Sequence, residues 1–375
     1  MRSSKWFVAG ALAVALFFYI SHSPVHAGQV SRSGYKVLAP LSSGNLTIFP
    51  VVGPSAPNTG MFLTLDEGLR SGEVVVTEAG SVRGLVRGPQ PIRPYQNGGA
   101  QVNTLVLVNN SKRPLLLLAG EIVTGGKQDR VIGKDRIVPP ESEPIDLGVF
   151  CVEPGRWVAR TNNFGGFSNL AQPSVRANAM ATQNQQLVWD SVRESRAKVA
   201  QNVPSAAPSM SGSSSYAGAM ANKEVNGAME QITAPIERDY RNVIRDLRDK
   251  NAVGVVVAVN GEILWADIFA SNDLLDRYWQ KLVRSYAAEA LTQGRRAGKV
   301  SLNEAQAFVD RMQGRHETSD TEPGVYRQAE ITGDDYKVFE LTSLLPKADF
   351  DVHIAKMFEE PTVGQMYRGP APLQR

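Results

Sequence analysis

Two apolar runs, 253–259 (VGVVVAV) and 262–269 (EILWADIF), stand on either side of Asn260-Gly261. Asn-Gly supplies the positive φ angles of a type I′ turn, the two-residue connection whose twist matches that of paired strands. The stretch therefore predicts a tight antiparallel hairpin. Ser271 follows as a helix cap, and the spacing predicts a helix to about Gln293. Leu274, Leu275, Tyr278, Trp279, Leu282, Val283, Tyr286 and Ala290 fall on one face of it. Asp276, Arg277, Lys281, Arg284 and Glu289 fall on the other. Charges of both signs on that face suit a helix docked on a sheet better than one lying on a bilayer. A hairpin that feeds a sheet-docking helix constrains the chain to a mixed fold.

The preceding chain reads as short strands broken by glycine and proline. Residues 46–49 form one, bounded by Pro50. Residues 62–65 form another and enter a helical turn at 66–69 that Gly72 closes. Val74, Val75 and Val76 are a buried-type strand. Gly80, Gly84, Gly88, Pro89, Pro91 and Pro94 then mark a surface loop. The strand 102–108 turns through Asn109, Asn110, Ser111, Lys112 and Arg113 into 115–118, which predicts a second hairpin. Further strands are expected at 131–132, 136–138 and 145–152, and 161–167 reads as a glycine and amide loop.

Helices are predicted over about 174–200, with Leu187, Val188, Val192 and Val199 as the apolar side, and over about 235–249. Between them 204–219 (PSAAPSMSGSSSYAGA) has the composition of a linker. Ser301 and Glu304 make a capping box that opens a last short helix. Strands at 325–332, 336–345 and 352–357 close the chain. The expected fold class is α+β: a β-sandwich-like body, an appended helical layer and a peripheral β-hairpin–helix unit. The expected organisation is a signal peptide at 1–27, a flexible lead-in at 28–43 and a main β-rich domain at 44–300. A disordered linker lies inside that domain at 203–221, a C-terminal helix and strands at 301–360, and a frayed tail at 361–375.

The first 27 residues carry Arg2 and Lys5, an apolar run at 6–20 and the small-residue end Val25-His26-Ala27. This is the pattern of a secretory signal, with cleavage expected after Ala27 and export to the periplasm or beyond. The run of 15 residues is short for a membrane span, which needs about 20. A membrane role is expected only if this segment stays uncleaved. The net charge of +3, from 40 basic and 37 acidic residues, gives no basic excess that would point to nucleic acid. Cys151 is the only cysteine, so no intramolecular disulfide forms, and its apolar neighbours mark it as a buried hydrophobe. Past residue 27 only His316 and His353 remain. That excludes a histidine-based zinc cluster, and neither a metal nor a cofactor is expected.

Chemistry concentrates in 115–157. Here two strand-like segments each end in a turn that displays acid, base and amide. The first holds Gly120-Glu121, Gly125-Gly126 and Lys127-Gln128-Asp129-Arg130; the second holds Glu153-Pro154-Gly155-Arg156-Trp157. Glycine lets backbone approach a ligand closely, and arginine forks bind carboxylate or phosphate. Lys127, Gln128, Arg130, Arg156, Gly125 and Gly126 are therefore the candidate ligand-binding residues, and Glu121 and Glu153 the candidate general bases. The alternative is that Glu121–Arg156 and Glu153–Arg130 are structural ion pairs, with Trp157 a core anchor.

The motifs Gly120-Glu121, 126–130, Val138-Pro139-Pro140 and 151–157, with the hairpin at 254–261 and the helix segment 282–291 (LVRSYAAEAL), carry a resemblance. They resemble the ARG and rhodanese-phosphatase-superfamily-associated protein domain family over about 44–292. Residues beyond 300 lie outside the likeness. The family's biochemical function is unknown. Its name records an association with ADP-ribosylglycohydrolase and rhodanese-phosphatase proteins, which implies nucleotide or phospho-ligand chemistry. Three functions stay open. The first is an exported module that binds a small anionic ligand or a protein partner. The second is a hydrolase or transferase acting on a nucleotide-, ADP-ribose- or phosphate-containing substrate through Glu121 or Glu153. The third is a purely structural envelope protein.

Overall fold

The computed structural model describes residues 34–54, 57–79, 101–247 and 251–358. The expected signal peptide, the start of the expected lead-in, the expected Gly/Pro surface loop and the expected tail lie outside the described residues. Strands β1 (Lys36–Val37) and β2 (Leu41–Ser43) both pair with β3 (Leu46–Val52). Residues 36–43 are thus part of a sheet, where a flexible lead-in was expected. Pro50 does not end β3. It lies between the two pairing segments, where the absent N–H breaks no ladder bond on that side. After β4 (Leu63–Thr64), α1 (Leu65–Ser71) starts at a Thr64/Glu67 capping box and ends at Gly72, which is left-handed.

Strands β5 (Val74–Glu78), β6 (Thr104–Asn109), β7 (Leu115–Leu117), β8 (Glu121–Gly125), β9 (Arg130–Ile132), β10 (Arg136–Val138), β11 (Ile145–Cys151) and β12 (Phe164–Leu170) follow. Six of them form one sheet in the order β12-β8-β9-β11-β6-β5. A bridge between Thr77 and Asn163 draws its two edges together, so the sheet approaches a barrel. The expected hairpin at 102–118 does not form. β6 lies in the six-stranded sheet, while β7 pairs with β10 and β4 in a small separate sheet. The turn itself is well made, because Asn109 Nδ2 donates to Arg113 O and Pro139 O and so bends the chain towards β10. Leu115, Leu116 and Leu117 are all buried, so no solvent face directs them back onto β6. The expected glycine loop at 161–167 is largely β12, the partner of β8.

The helical layer also departs from expectation. The long helix at 174–200 is divided into α2 (Pro173–Ala177), a π-helical turn at Asn178–Thr182 and α3 (Gln185–Asn202). Gln183 in left-handed conformation and the Asn184 cap make the break. Val188, Val192 and Val199 are buried, but Leu187 is 41% exposed. The expected disordered linker at 203–221 is ordered as a 3-10 turn (Pro204–Ala206), α4 (Ala207–Met210) and α5 (Tyr216–Met220). Met210, Tyr216 and Met220 reach the main core and hold it there. Helix α6 (Lys223–Leu247) starts 12 residues before the expected Pro235, which it contains in its interior.

The Asn260-Gly261 hairpin forms as expected, with φ of 55° and 83°, between β13 (Ala252–Val259) and β14 (Glu262–Phe269). Helix α7 (Asn272–Gln293) starts at the Ser271 cap. Then come α8 (Leu302–Asp310), opened by the Ser301/Glu304 capping box, and β15 (Arg315–Glu322), β16 (Tyr326–Thr332), β17 (Tyr336–Leu345) and β18 (Ala348–Phe358). The hairpin is central, not peripheral. The nine-stranded sheet runs β1-β3-β13-β14-β18-β17-β16-β15, with β2 beside β3. Every residue of β13 is buried, Val255 and Val257 against the core under α7, Val253 and Val256 against the core that holds Phe308 of α8. A strand covered on both faces explains its near-continuous valine run. The protein is a mixed α+β fold in which the C-terminal strands complete the same sheet as the N-terminal ones. Among the described residues, no helix is long and apolar enough to cross a membrane.

Candidate functional site

The β8–β9 turn and the turn after β11 meet. Arg156 binds them from within: its Nη1 donates to Gly126 O (2.8 Å) and Val158 O (2.8 Å), its Nη2 to Gly125 O (3.3 Å). The same guanidinium faces Glu153 Oε2 at 2.5 Å and Asp129 Oδ1 at 3.4 Å. Arg160 adds a contact to Glu153 Oε1 at 3.1 Å. Asp129 Oδ2 accepts from Ser215 Oγ at 2.8 Å, which ties the serine-rich segment to the turn. Gly125 and Gly126 have φ of 126° and 46°, and a Cβ on Gly126 would sit 2.2 Å from the Phe164 ring, so the close approach requires glycine. Burial raises the Glu153 carboxyl, but the Arg156 hydrogen bond and the backbone N–H of Asp129 outweigh it and hold it low. Burial and the neighbouring Glu153 charge push Asp129 up.

Lys127, Gln128 and Arg130 complete this cluster. The Lys127 N–H donates to Glu78 Oε1 at 2.8 Å, and its ammonium lies 5.0 Å from the centre of the Trp157 ring. Arg130 lies 6.0 Å from that ring and donates through Nε to Val102 O at 2.8 Å. Burial lowers its guanidinium below the ordinary value. Trp157 is no core anchor, since it is 43% exposed and followed by Val158 at 74%. Four buried polar atoms in this cluster have no hydrogen-bond partner among the described residues: Glu78 Oε2, Gln128 Oε1, Arg130 Nη1 and Arg156 Nε.

Glu121 is not part of the cluster. It is fully buried, accepts from Leu118 N at 3.0 Å and pairs with Lys281 at 3.0 Å, not with Arg156. Burial raises its carboxyl, with Lys281 opposing. Lys281 also meets Asp66 at 2.7 Å, and Asp66 borders an open cleft of about 360 Å³ with Leu69, Arg70, Gly165, Gly166 and Phe167. Glu153 pairs with Arg156 and Arg160, so both ion pairs expected from the sequence involve other partners.

A second buried network was not legible in the sequence. Arg176 of α2 grips Asp267 of β14 through two bonds of 2.9 and 3.0 Å. His353 of β18 contacts Asp267 at 3.1 Å and Asp135 at 2.6 Å. Tyr286 of α7 donates to Asp267, and Trp265 lies 4.6 Å below the Arg176 guanidinium. Arg176 Nε donates to Ala119 O, while Asp135 accepts from Ala119 N, so the network closes on the turn before Glu121. Burial lowers the His353 imidazole, but the Asp135 and Asp267 carboxylates reverse this and raise it to about 9. Burial raises Asp267, and Arg176 with His353 drives it well below the usual carboxylate range. Alternation of polar and apolar residues marks a surface position; only the fold reveals that these residues are sealed inside.

The family model described as "ARG and Rhodanese-Phosphatase-superfamily-associated Protein domain" matches residues 34–355, and the chain belongs to that family. The match includes the C-terminal strands that the sequence motifs had left outside. No curated protein matches the chain, and no solved structure does.

Proposed function

We propose that the chain is an exported binding module and that the Gly125–Arg130 and Glu153–Trp157 turns form the recognition site for a small anionic ligand. The carrying observation is the set of four unpartnered polar atoms. A buried donor or acceptor without a partner costs about 1–3 kcal/mol, and this cluster concentrates four of them. Two are guanidinium donors, suited to carboxylate or phosphate oxygens; two are acceptors, suited to hydroxyl or amide N–H. An anion that also carries donors satisfies both kinds, as a nucleotide or ADP-ribose does. Beside them the Trp157 face offers a stacking surface and Lys127 a further cation. Export rests on the features of residues 1–27.

Binding is favoured over a hydrolase or transferase role because each candidate base is committed. Glu153 is held low by two guanidinium groups, and Glu121 is sealed against Lys281. A thermal-shift screen of nucleotides, ADP-ribose and sugar phosphates on residues 28–375 tests the reading. The expected result is a stabilisation that Lys127→Ala and Trp157→Ala reduce. The reading falls if no compound shifts the transition, or if both variants respond like the parent.

A further inference from the structure

Helix α7 ends beside a cleft of about 310 Å³ between α3, α6 and the loop before β3. Asn45, Asn202, Gln231, Ile232, Leu291 and Arg295 are among its walls. The carbonyl end of the helix is already capped by three side-chain amides. Asn45 Nδ2 donates to Ala290 O (3.0 Å) and Gly294 O (2.8 Å). Asn202 Nδ2 donates to Leu291 O (2.7 Å), and Asn260 Nδ2 to Gly294 O (3.1 Å). These amides satisfy the last carbonyls, and the cations that follow lie at the negative end of the helix.

Those cations are Arg295, Arg296 and Lys299, all exposed, and none has an ion-pair partner among the described residues. The loop that carries them is fixed. Arg296 N donates to Asn260 Oδ1 at 2.8 Å, and Gly298 packs so tightly on Asn260 that a Cβ would reach its carbonyl oxygen. Arg295 lies over Gly44, where an added Cβ would sit 3.5 Å from Nη2, at ordinary van der Waals distance. Among the described residues no carboxylate lines the cleft, whereas Ala228, Ile232 and Leu291 give it an apolar wall.

We propose that this cleft is a second ligand site, for a small organic anion with a compact apolar body. Arg295 anchors the anionic head through its planar fork. Gln231 offers a hydrogen bond, and the apolar wall takes the body of the ligand. Arg296 and Lys299 raise the local anion concentration at the mouth. The cleft lies at the small end of the roughly 300–1,000 Å³ range of ligand pockets, which sets the size of the guest. The site is independent of the Lys127–Trp157 surface.

The test uses calorimetric titration and thermal shift on residues 28–375 with phenyl phosphate, benzoate and inorganic phosphate, each against sodium chloride of equal ionic strength. The expected result is saturable binding of phenyl phosphate or benzoate, tighter than that of inorganic phosphate. Arg295→Ala should weaken it at least tenfold and leave the unliganded Tm unchanged, because the side chain is exposed. Lys127→Ala should leave it intact. The proposal is overturned if neither aromatic anion binds beyond the salt control. It is equally overturned if Arg295→Ala binds as the parent does, or if Lys127→Ala alone abolishes binding.

Discussion

The buried histidine gives the fold a pH dependence of known sign. His353 is fully buried between Asp135 and Asp267, and its pKa is raised from 6.5 to about 9. A folded-state pKa above the unfolded one means that the folded state binds the proton more tightly. The stabilisation is complete below pH 6.5 and is lost as pH rises through about 9. Its size follows from the displacement and is about 3 kcal/mol, with no discount for solvent because the ring is sealed. Lys356 works in the opposite sense. Burial, with Arg311 beside it, brings its ammonium down to about 7, so stability gains as pH climbs from there. The pH profile of the parent alone therefore mixes two trends. The difference between parent and His353→Gln isolates one, because Lys356 is common to both. Urea unfolding followed by tryptophan fluorescence at pH 6, 7, 8 and 9 supplies the numbers. The stability gap between the two proteins should shrink by about 3 kcal/mol from pH 6 to pH 9. A gap that stays constant, or widens, refutes an imidazolium held by two carboxylates.

Other perturbations probe the same frame. Asp267→Asn leaves the Arg176 charge buried without a full partner and should cost about 3–5 kcal/mol in urea unfolding. Gly120→Ala forces a side chain onto φ 93° and places its Cβ 2.5 Å from Arg176 Cγ, so a loss above about 2 kcal/mol is expected by thermal denaturation. Arg156→Ala removes the contacts that knit the two turns and should lower stability by about 1–3 kcal/mol, whereas Trp157→Ala, at an exposed site, should change it by about 0.5 kcal/mol or less.

What could be read in advance followed from local chemistry. Asn260-Gly261, the Ser271 cap, the Ser301/Glu304 box and Gly72 each act on their own backbone, and each appears where expected. Failures came where tertiary contacts decide. The segment around Ser215 has the composition of a linker, yet a few apolar side chains, Met210, Tyr216 and Met220, find buried sites and order the whole stretch. Leu115 to Leu117 looked like a return strand because a turn preceded them, but the partner of a fully buried strand is not encoded in its own residues. The β8–β9 turn and the turn after β11 meet, but Glu121 stands apart and the ion pairs differ from those expected. Arg156 lies three residues from Glu153 and binds it locally, which leaves Glu121 to Lys281, a residue 160 positions away.

That separation assigns different work to the two halves of the motif stretch. Around Gly120 the backbone of Ala119 is held by Arg176 and Asp135, and Glu121 by Lys281, so the turn joins the six-stranded sheet to α2, α7, β14 and β18. Two cations, Arg176 and His353, balance two carboxylates, Asp135 and Asp267, and the Tyr286 hydroxyl takes part as well. A buried set of this kind tolerates little displacement, because moving one member strands the others without water. From Gly125 to Trp157 the logic reverses. There Arg130 and Arg156 each keep one buried guanidinium nitrogen without a hydrogen-bond partner among the described residues, while Trp157 stays 43% exposed.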